Sequence, residues 1–289
     1  MKKLLLVNIG ALVIFSLAFT ACQKVNELVD NFKHDKKEDG GIIFYALAGN
    51  KLVQYSTSNP DKIKNTSTIT GMQSEEKILG IDFRPATGEL YALGSNSRLY
   101  TINFNSGIAT FVAALTTMPM GSTTAVPLSL SGTSFGMDFN PVVDRIRIIS
   151  NTGQNLRAHP TTGLTLVDGS INPQPASVNG VAYDNNDTDT TTTTELYALD
   201  ISNDQLFEID PPNNGTLIEP LSIKLNITGD GGFDIAPKNA NVTTDIGLAL
   251  YEVNQVSTLF KIDVETGETK ILAYYKDVKY TAIAISPGR

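Results

Sequence analysis

The sequence predicts an all-β fold: a five-bladed β-propeller of four-stranded blades, its ring closed by pairing the C-terminal strand with the first blade. Three observations lead there. Short runs rich in Ile, Leu, Tyr, Phe and Thr alternate with Gly, Asn, Asp and Pro, and no window of helical length sustains a 3.6-residue apolar period. A six-residue motif returns at intervals of 56, 44, 52 and 50 residues. The two ends of the repeated region carry complementary fragments of one unit.

In chain order, Lys2 and Lys3 precede an apolar run from Leu4 to Ala21, the pattern of a secretory signal. The run ends in Phe19-Thr20-Ala21-Cys22, which resembles the bacterial lipobox, with Phe19 in place of the usual aliphatic residue. The resemblance implies cleavage after residue 21 and lipid attachment at Cys22, the only cysteine. Gln23, rather than Asp, follows it, which implies sorting to the outer membrane in a Gram-negative cell. Residues 22–41 are polar and charged and read as a flexible tether. Residues 42–289 remain as the propeller domain.

The repeat begins in full with Gly80-Ile81-Asp82-Phe83-Arg84-Pro85 and returns as Gly136-Met137-Asp138-Phe139-Asn140-Pro141. It weakens to Gly180-Val181-Ala182-Tyr183, recovers as Gly232-Phe233-Asp234-Ile235-Ala236-Pro237, and echoes in Ala282-Ile283-Ala284-Ile285-Ser286-Pro287. Each copy before the last is followed by further strand-like runs, so each unit holds four antiparallel strands, the content of a propeller blade. Residues 42–69 supply only the last three strands of a unit, and 281–286 supply the missing first one. The alternative is a six-bladed ring in which the insertion at residues 114–131 hides further strands.

The same residues carry a family resemblance. Gly80 to Gly94 with Ser97 to Asn103, and the run from Ser131 to Arg157, resemble a bacterial secreted family known as domain of unknown function 4394. The likeness spans residues 42–289. It implies an envelope location and one repeat-built domain, and it brings no catalytic residues with it.

Composition removes several function classes. The chain has 289 residues, a formal net charge of −8 and no basic blocks, which argues against nucleic acid because neutralising phosphates needs clustered Lys and Arg. One cysteine excludes a disulfide framework, and two histidines exclude a His-rich metal cage. His159 is the one histidine inside the domain; before Pro160 it reads as a surface or edge residue, and no nucleophile motif surrounds Ser134 or Ser150. The repeated Asp82, Asp138 and Asp234 fall on first strands, which line a propeller's central channel; they read as structural acceptors of backbone N–H groups near a turn, since Ala182 and Ala284 break the ring of carboxylates, and the alternatives are a calcium-like hard cation or acid–base chemistry. The stretch Asp184 to Asp189 lacks the central Gly and distal Glu of a calcium loop and reads as a solvated loop. No metal and no cofactor are assigned.

The third unit breaks the template. Aligning its second strand puts Arg147 where the preceding unit has Tyr91, and Arg157 is aligned with Tyr100. A three-residue turn at Asn151-Thr152-Gly153 sets Arg147 opposite Arg157, and a two-residue turn at Ser95-Asn96 sets Tyr91 opposite Tyr100. Arg145 joins the arginines on one face. Opposed like charges destabilise a sheet, so the patch needs either a carboxylate (Asp138, Asp144 or Asp168) or a bound anion. Arg145, Arg147 and Arg157 are therefore the candidate ligand site, and Arg84 is expected at the same channel mouth.

Together these readings give a lipid-anchored cell-envelope propeller acting as a non-enzymatic binding or scaffold module for a protein or an acidic glycan. The alternative is an envelope propeller enzyme, a hydrolase or lyase on carbohydrate or lactone substrates, which needs a carboxylate pair or a metal at the channel mouth.

Overall fold

A computed structural model describes residues 41–187, 191–238 and 244–287. The signal segment, Cys22 and most of the tether lie outside these residues, as do Thr188 to Thr190. The described residues form twenty-two strands and no helix. They build five antiparallel sheets in a ring, a five-bladed propeller.

The first blade contains β1 (Ile43–Ala48), β2 (Lys51–Ser56) and β3 (Asn65–Thr68). The second contains β4 (Ile78–Phe83), β5 (Leu90–Gly94), β6 (Arg98–Ile102) and β7 (Ala109–Ala114). The short β8 (Thr116–Thr117) and β9 (Val126–Pro127) precede the third, made of β10 (Phe135–Asn140), β11 (Arg145–Ser150), β12 (Asn155–Ala158) and β13 (Leu164–Val167). The fourth has β14 (Val178–Tyr183), β15 (Leu196–Asp200), β16 (Gln205–Ile209) and β17 (Leu217–Ser222). The fifth has β18 (Ile227–Ile235), β19 (Ile246–Val253), β20 (Val256–Asp263) and β21 (Thr269–Tyr275). The last strand, β22 (Ala282–Ile285), is the inner strand of the first blade and pairs β1 with Ile283 opposite Ala46. The insertion adds no sixth blade: β8 pairs in parallel with β13, so it widens the outer edge of the third.

Burial follows from the stacking. A middle strand is covered by a neighbouring blade on each face, so β5 is buried at every residue, whereas β7 at the rim is exposed at half its positions. The apolar core is correspondingly divided into five clusters, one per seam between blades.

The inner strands β22, β4, β10, β14 and β18 crowd around a narrow axis, which explains the motif's glycine. A Cβ on Gly136 would lie 2.7 Å from the backbone nitrogen of Val181, and one on Gly232 would lie 2.6 Å from that of Ile283. Both obstacles are backbone of the next inner strand, which has no rotamer to yield.

One expected register is corrected. Arg147 does stand opposite Arg157. In the second blade, however, Gly94 pairs with Arg98, which sets Tyr91 opposite Thr101 and Tyr100 opposite Ala92. The loop there has three residues, 95–97, because Ser97 takes the left-handed conformation (φ 57°). Arg157 therefore corresponds to Thr101, not Tyr100, and the two arginines do not replace an aromatic cross-strand pair.

Gly136→Ala is expected to destabilise the protein by about 1–3 kcal/mol through overpacking, a fall of roughly 2–4 °C in Tm for each kcal/mol. Thermal unfolding checks this; an unchanged Tm would mean that the axis is less crowded than described.

Candidate functional site

Three groups of residues bear on function: the axial aspartates, the arginines between blades three and four, and a cleft at one mouth of the axis.

An inner strand pairs with its own blade along one edge only, so some N–H groups on the axis edge have no ladder partner and need acceptors. The motif aspartates supply them across the seams. Asp82 Oδ2 accepts the N–H of Phe139 at 2.8 Å, Asp138 Oδ2 that of Tyr183 at 2.8 Å, and Asp234 Oδ2 that of Ile285 at 2.6 Å. Asp82 Oδ1 also accepts the N–H of Phe83, at 2.7 Å, in its own strand. The structural role expected of these residues is thus present, although their acceptance joins successive blades instead of closing a turn. The three are brought together although two alanines interrupt the ring expected from the repeat: one oxygen from each lies within 4.8 Å of the others, and all three residues are buried. Burial, then the neighbouring carboxylates, raises the pKa of Asp138 well above the usual range; burial and Asp234 do the same for Asp82. Burial pushes Asp234 up to about 7.

The arginines form a polar seam. At the second-strand position opposite the motif's third residue stand Tyr45, Tyr91, Arg147, Tyr197 and Leu248. Tyr45 packs on Phe83 of the next blade and Tyr91 on Phe139, with ring centroids 5.5 and 5.2 Å apart. Arg147 reaches across in the same direction, its Nε donating to the Tyr183 hydroxyl at 3.3 Å and its Nη2 to Asn213 at 2.9 Å. Its Nη1 donates to Asn155 and Asp168, both at 2.7 Å, and the residue is only 1% exposed. Asp168 also takes a two-point bond from Arg157, at 2.6 and 2.9 Å. The counter-charge for the opposed pair is therefore Asp168. Arg145 donates to the Val143 and Asp144 carbonyls. Arg84 forms a two-point pair with Asp144 of the next blade, which holds the Asp144 carboxyl below its usual pKa.

The cleft was not foreseen. It holds about 630 Å³ and is lined by Leu79 on β4, Phe135 on β10, Asp230 on β18 and Thr281 just before β22. These are the beginnings of four inner strands, so the cleft lies over the axis, on the far side of the glycine layer from the aspartates. The β3–β4 connection contributes Met72 and Glu76. Glu76 is held by the Tyr100 hydroxyl at 2.5 Å and the Asn96 N–H at 3.1 Å. From the fifth inner strand, Asn179 donates to Ser134 of the cleft wall at 2.9 Å, while its own Oδ1 is buried without a hydrogen-bond partner. The lining shares no motif; its one sequence trace is the long connection between residues 69 and 79.

The remaining candidates are accounted for locally. The Nδ1 of His159 accepts the N–H of Thr161 in a turn, and the Ser150 hydroxyl bonds within the Ser150–Gln154 hairpin. The Asp184 loop is not simply solvated. Asp184 is buried and accepts the Glu195 N–H, and Asn186 donates to the Ile235 carbonyl of blade five. Cys22 lies outside the described residues.

The profile of a family described as a domain of unknown function (DUF4394) matches residues 51–284. No curated protein matches the chain. Among solved structures, a chain of a nidogen/laminin complex is 11% identical with a TM-score of 0.48, covering 85% of this chain and 98% of that one. The WD40 repeats of RRP9 are 10% identical with a TM-score of 0.44, over 69% of this chain and 52% of that one. The BBS1N chain from a complex with ARL6DN is 10% identical with a TM-score of 0.40, over 79% and 64%. At these levels the likenesses say nothing of activity.

Two outcomes follow from the geometry. Arg147→Met, which removes a wholly buried partner of Asp168, should cost about 3 kcal/mol. Arg157→Met, at a side chain 29% exposed, should cost about 1 kcal/mol or less. Urea unfolding of both variants checks this, and equal losses would deny the seam its dependence on Arg147. The second outcome concerns pH. The folded pKa values of the axial aspartates lie above the ordinary value of 3.8, so between the two the folded state binds more protons than the unfolded one. In buffer free of divalent ions, this contribution should be fully present below pH 4 and be lost as pH rises toward 7. Triple replacement by Asn should flatten that part of a Tm-against-pH curve.

Proposed function

The chain belongs to the DUF4394 family, whose description assigns no activity, and from that premise we propose that it is a lipid-tethered cell-envelope binding module whose ligand enters the cleft over the propeller axis. The observation that carries this reading is the cleft itself. Its volume falls in the range of small-ligand sites, and its apolar floor is edged by a few polar groups. The anchor is Cys22, so the partner at that end is the membrane, and the envelope, at the outer membrane, is the location.

The charged side chains around the cleft are Glu76, Asp230 and Lys77. That balance suits a neutral polyhydroxylated or amine-bearing group, or a protein loop presenting one, better than an acidic glycan. The acidic ligand first expected at Arg145, Arg147 and Arg157 would have to compete with Asp168, which already holds Arg147 and Arg157. The enzyme alternative needs a carboxylate pair or a metal that a substrate can reach; the converging carboxyls of Asp82, Asp138 and Asp234 are buried on the axis, and the carboxylate of Glu76 in the cleft is committed to Tyr100 and Asn96.

The test has two parts. Wild-type protein made in a Gram-negative host should incorporate labelled palmitate and sediment with outer membranes, and Cys22→Ser should do neither. A panel of neutral sugars, amino sugars and uronic acids should give a hit among the first two classes. Met72→Trp, which fills the cleft, should weaken that hit at least tenfold while leaving Tm unchanged. Binding confined to uronic acids and insensitive to Met72→Trp would overturn the cleft, and turnover of a panel member would overturn the non-enzymatic reading.

A further inference from the structure

We propose that Asp82, Asp138 and Asp234 bind one divalent cation of the calcium class on the propeller axis, a site that ties three blades together and is separate from the cleft.

A calcium ion holds oxygen ligands at about 2.3–2.6 Å, so two ligands on opposite sides of it are about 4.6–5.2 Å apart. The three carboxylate oxygens lie within 4.8 Å of one another, so one ion can touch all three with no change of backbone.

One acceptor in the group lacks a donor. Asp234 is 3% exposed, and its Oδ1 atom has no hydrogen-bond partner, although its Oδ2 is taken by the Ile285 N–H. The Ile235 amide lies beside this carboxylate but outside the geometry of a hydrogen bond to Oδ1. A buried carboxylate oxygen left this way is costly unless something positive meets it.

The other two inner positions of the ring carry Ala182 and Ala284. Behind the ring, the second strands present Tyr45, Tyr91, Tyr197 and Leu248. The one cation there, Arg147, directs its guanidinium to Asp168, Asn155, Asn213 and Tyr183. Among the described residues no basic side chain stands between these three buried carboxyl groups, which leaves protons or a metal ion to neutralise them. A cation leaves each backbone N–H bond intact, because a carboxylate oxygen that accepts one N–H keeps a second lone pair. The donor set contains oxygen only, without His or Cys, which selects calcium, manganese or magnesium over zinc or copper.

The experiment compares protein stripped with a chelator and then returned to CaCl2, MgCl2, MnCl2 or ZnCl2 at pH 7.5. Calcium at about a hundred times its dissociation constant should raise Tm by roughly 5–11 °C. Elemental analysis of the calcium-loaded protein after desalting should find one calcium per chain. Asp234→Asn keeps an oxygen for the Ile285 N–H but removes the charge, so it should abolish both the shift and the bound metal. Asp187→Asn, in the acidic loop, should change neither. If Asp234→Asn does not fold, terbium substituted into wild-type protein provides the reading: calcium must displace it at one equivalent per chain. The proposal is overturned if no divalent ion raises Tm and no metal is bound, since the triad is then neutralised by protons. It is overturned equally if Asp234→Asn retains the calcium response, or if Asp187→Asn loses it.

Discussion

Closing five sheets around one axis creates an edge that nothing in a single blade can satisfy. Each inner strand pairs with its own blade on one side and turns its other edge to the axis, where unmet N–H groups would be buried. The protein answers with the motif's third residue. A carboxylate from one blade takes an N–H of the next, at Phe139, Tyr183 and Ile285. The N–H of Phe83, which faces the alanine at position 284, is taken by Asp82 of its own strand. Glycine two residues earlier brings the strands close enough for these bonds to form, so the two fixed letters of the motif are parts of one device.

The seam between blades three and four solves the same packing problem with different chemistry. At the two preceding seams an aromatic ring from the second strand covers the next blade's motif: Tyr45 covers Phe83 and Tyr91 covers Phe139. Here the guanidinium of Arg147 does so, and the residues around it are correspondingly polar: Asn155, Asp168, Asn213 and the Tyr183 hydroxyl. The apolar cluster at this seam draws Ile149 alone from blade three. Hydrogen bonds have directions that dispersion lacks, so this seam fixes the angle between two blades more tightly than apolar packing would.

Much of the architecture is legible in the sequence because the repeat is short-range information: each blade is written in consecutive residues. The opposition of Arg147 and Arg157 is legible for the same reason, since Gly153 announces the turn between them. The Tyr91–Tyr100 register misleads because the left-handed residue in that loop is Ser97, which carries no glycine signal. The axial cluster is only half legible: the repeat puts the aspartates on inner strands around one channel, but Asp82 and Asp234 lie three blades of chain apart and meet only when the ring closes. The cleft is hidden by the same cause, being assembled from the first residues of four separate strands.

The account rests on aspartates that hold the axis-edge N–H groups of neighbouring blades. Residue-resolved amide hydrogen exchange in wild type and Asp138→Ala tests it most directly. The account predicts that the Tyr183 amide, and the β14 edge around it, lose protection in the variant, while those of Phe139 and Ile285 keep theirs. Unchanged protection at Tyr183, or an equal loss at all three amides, would contradict it.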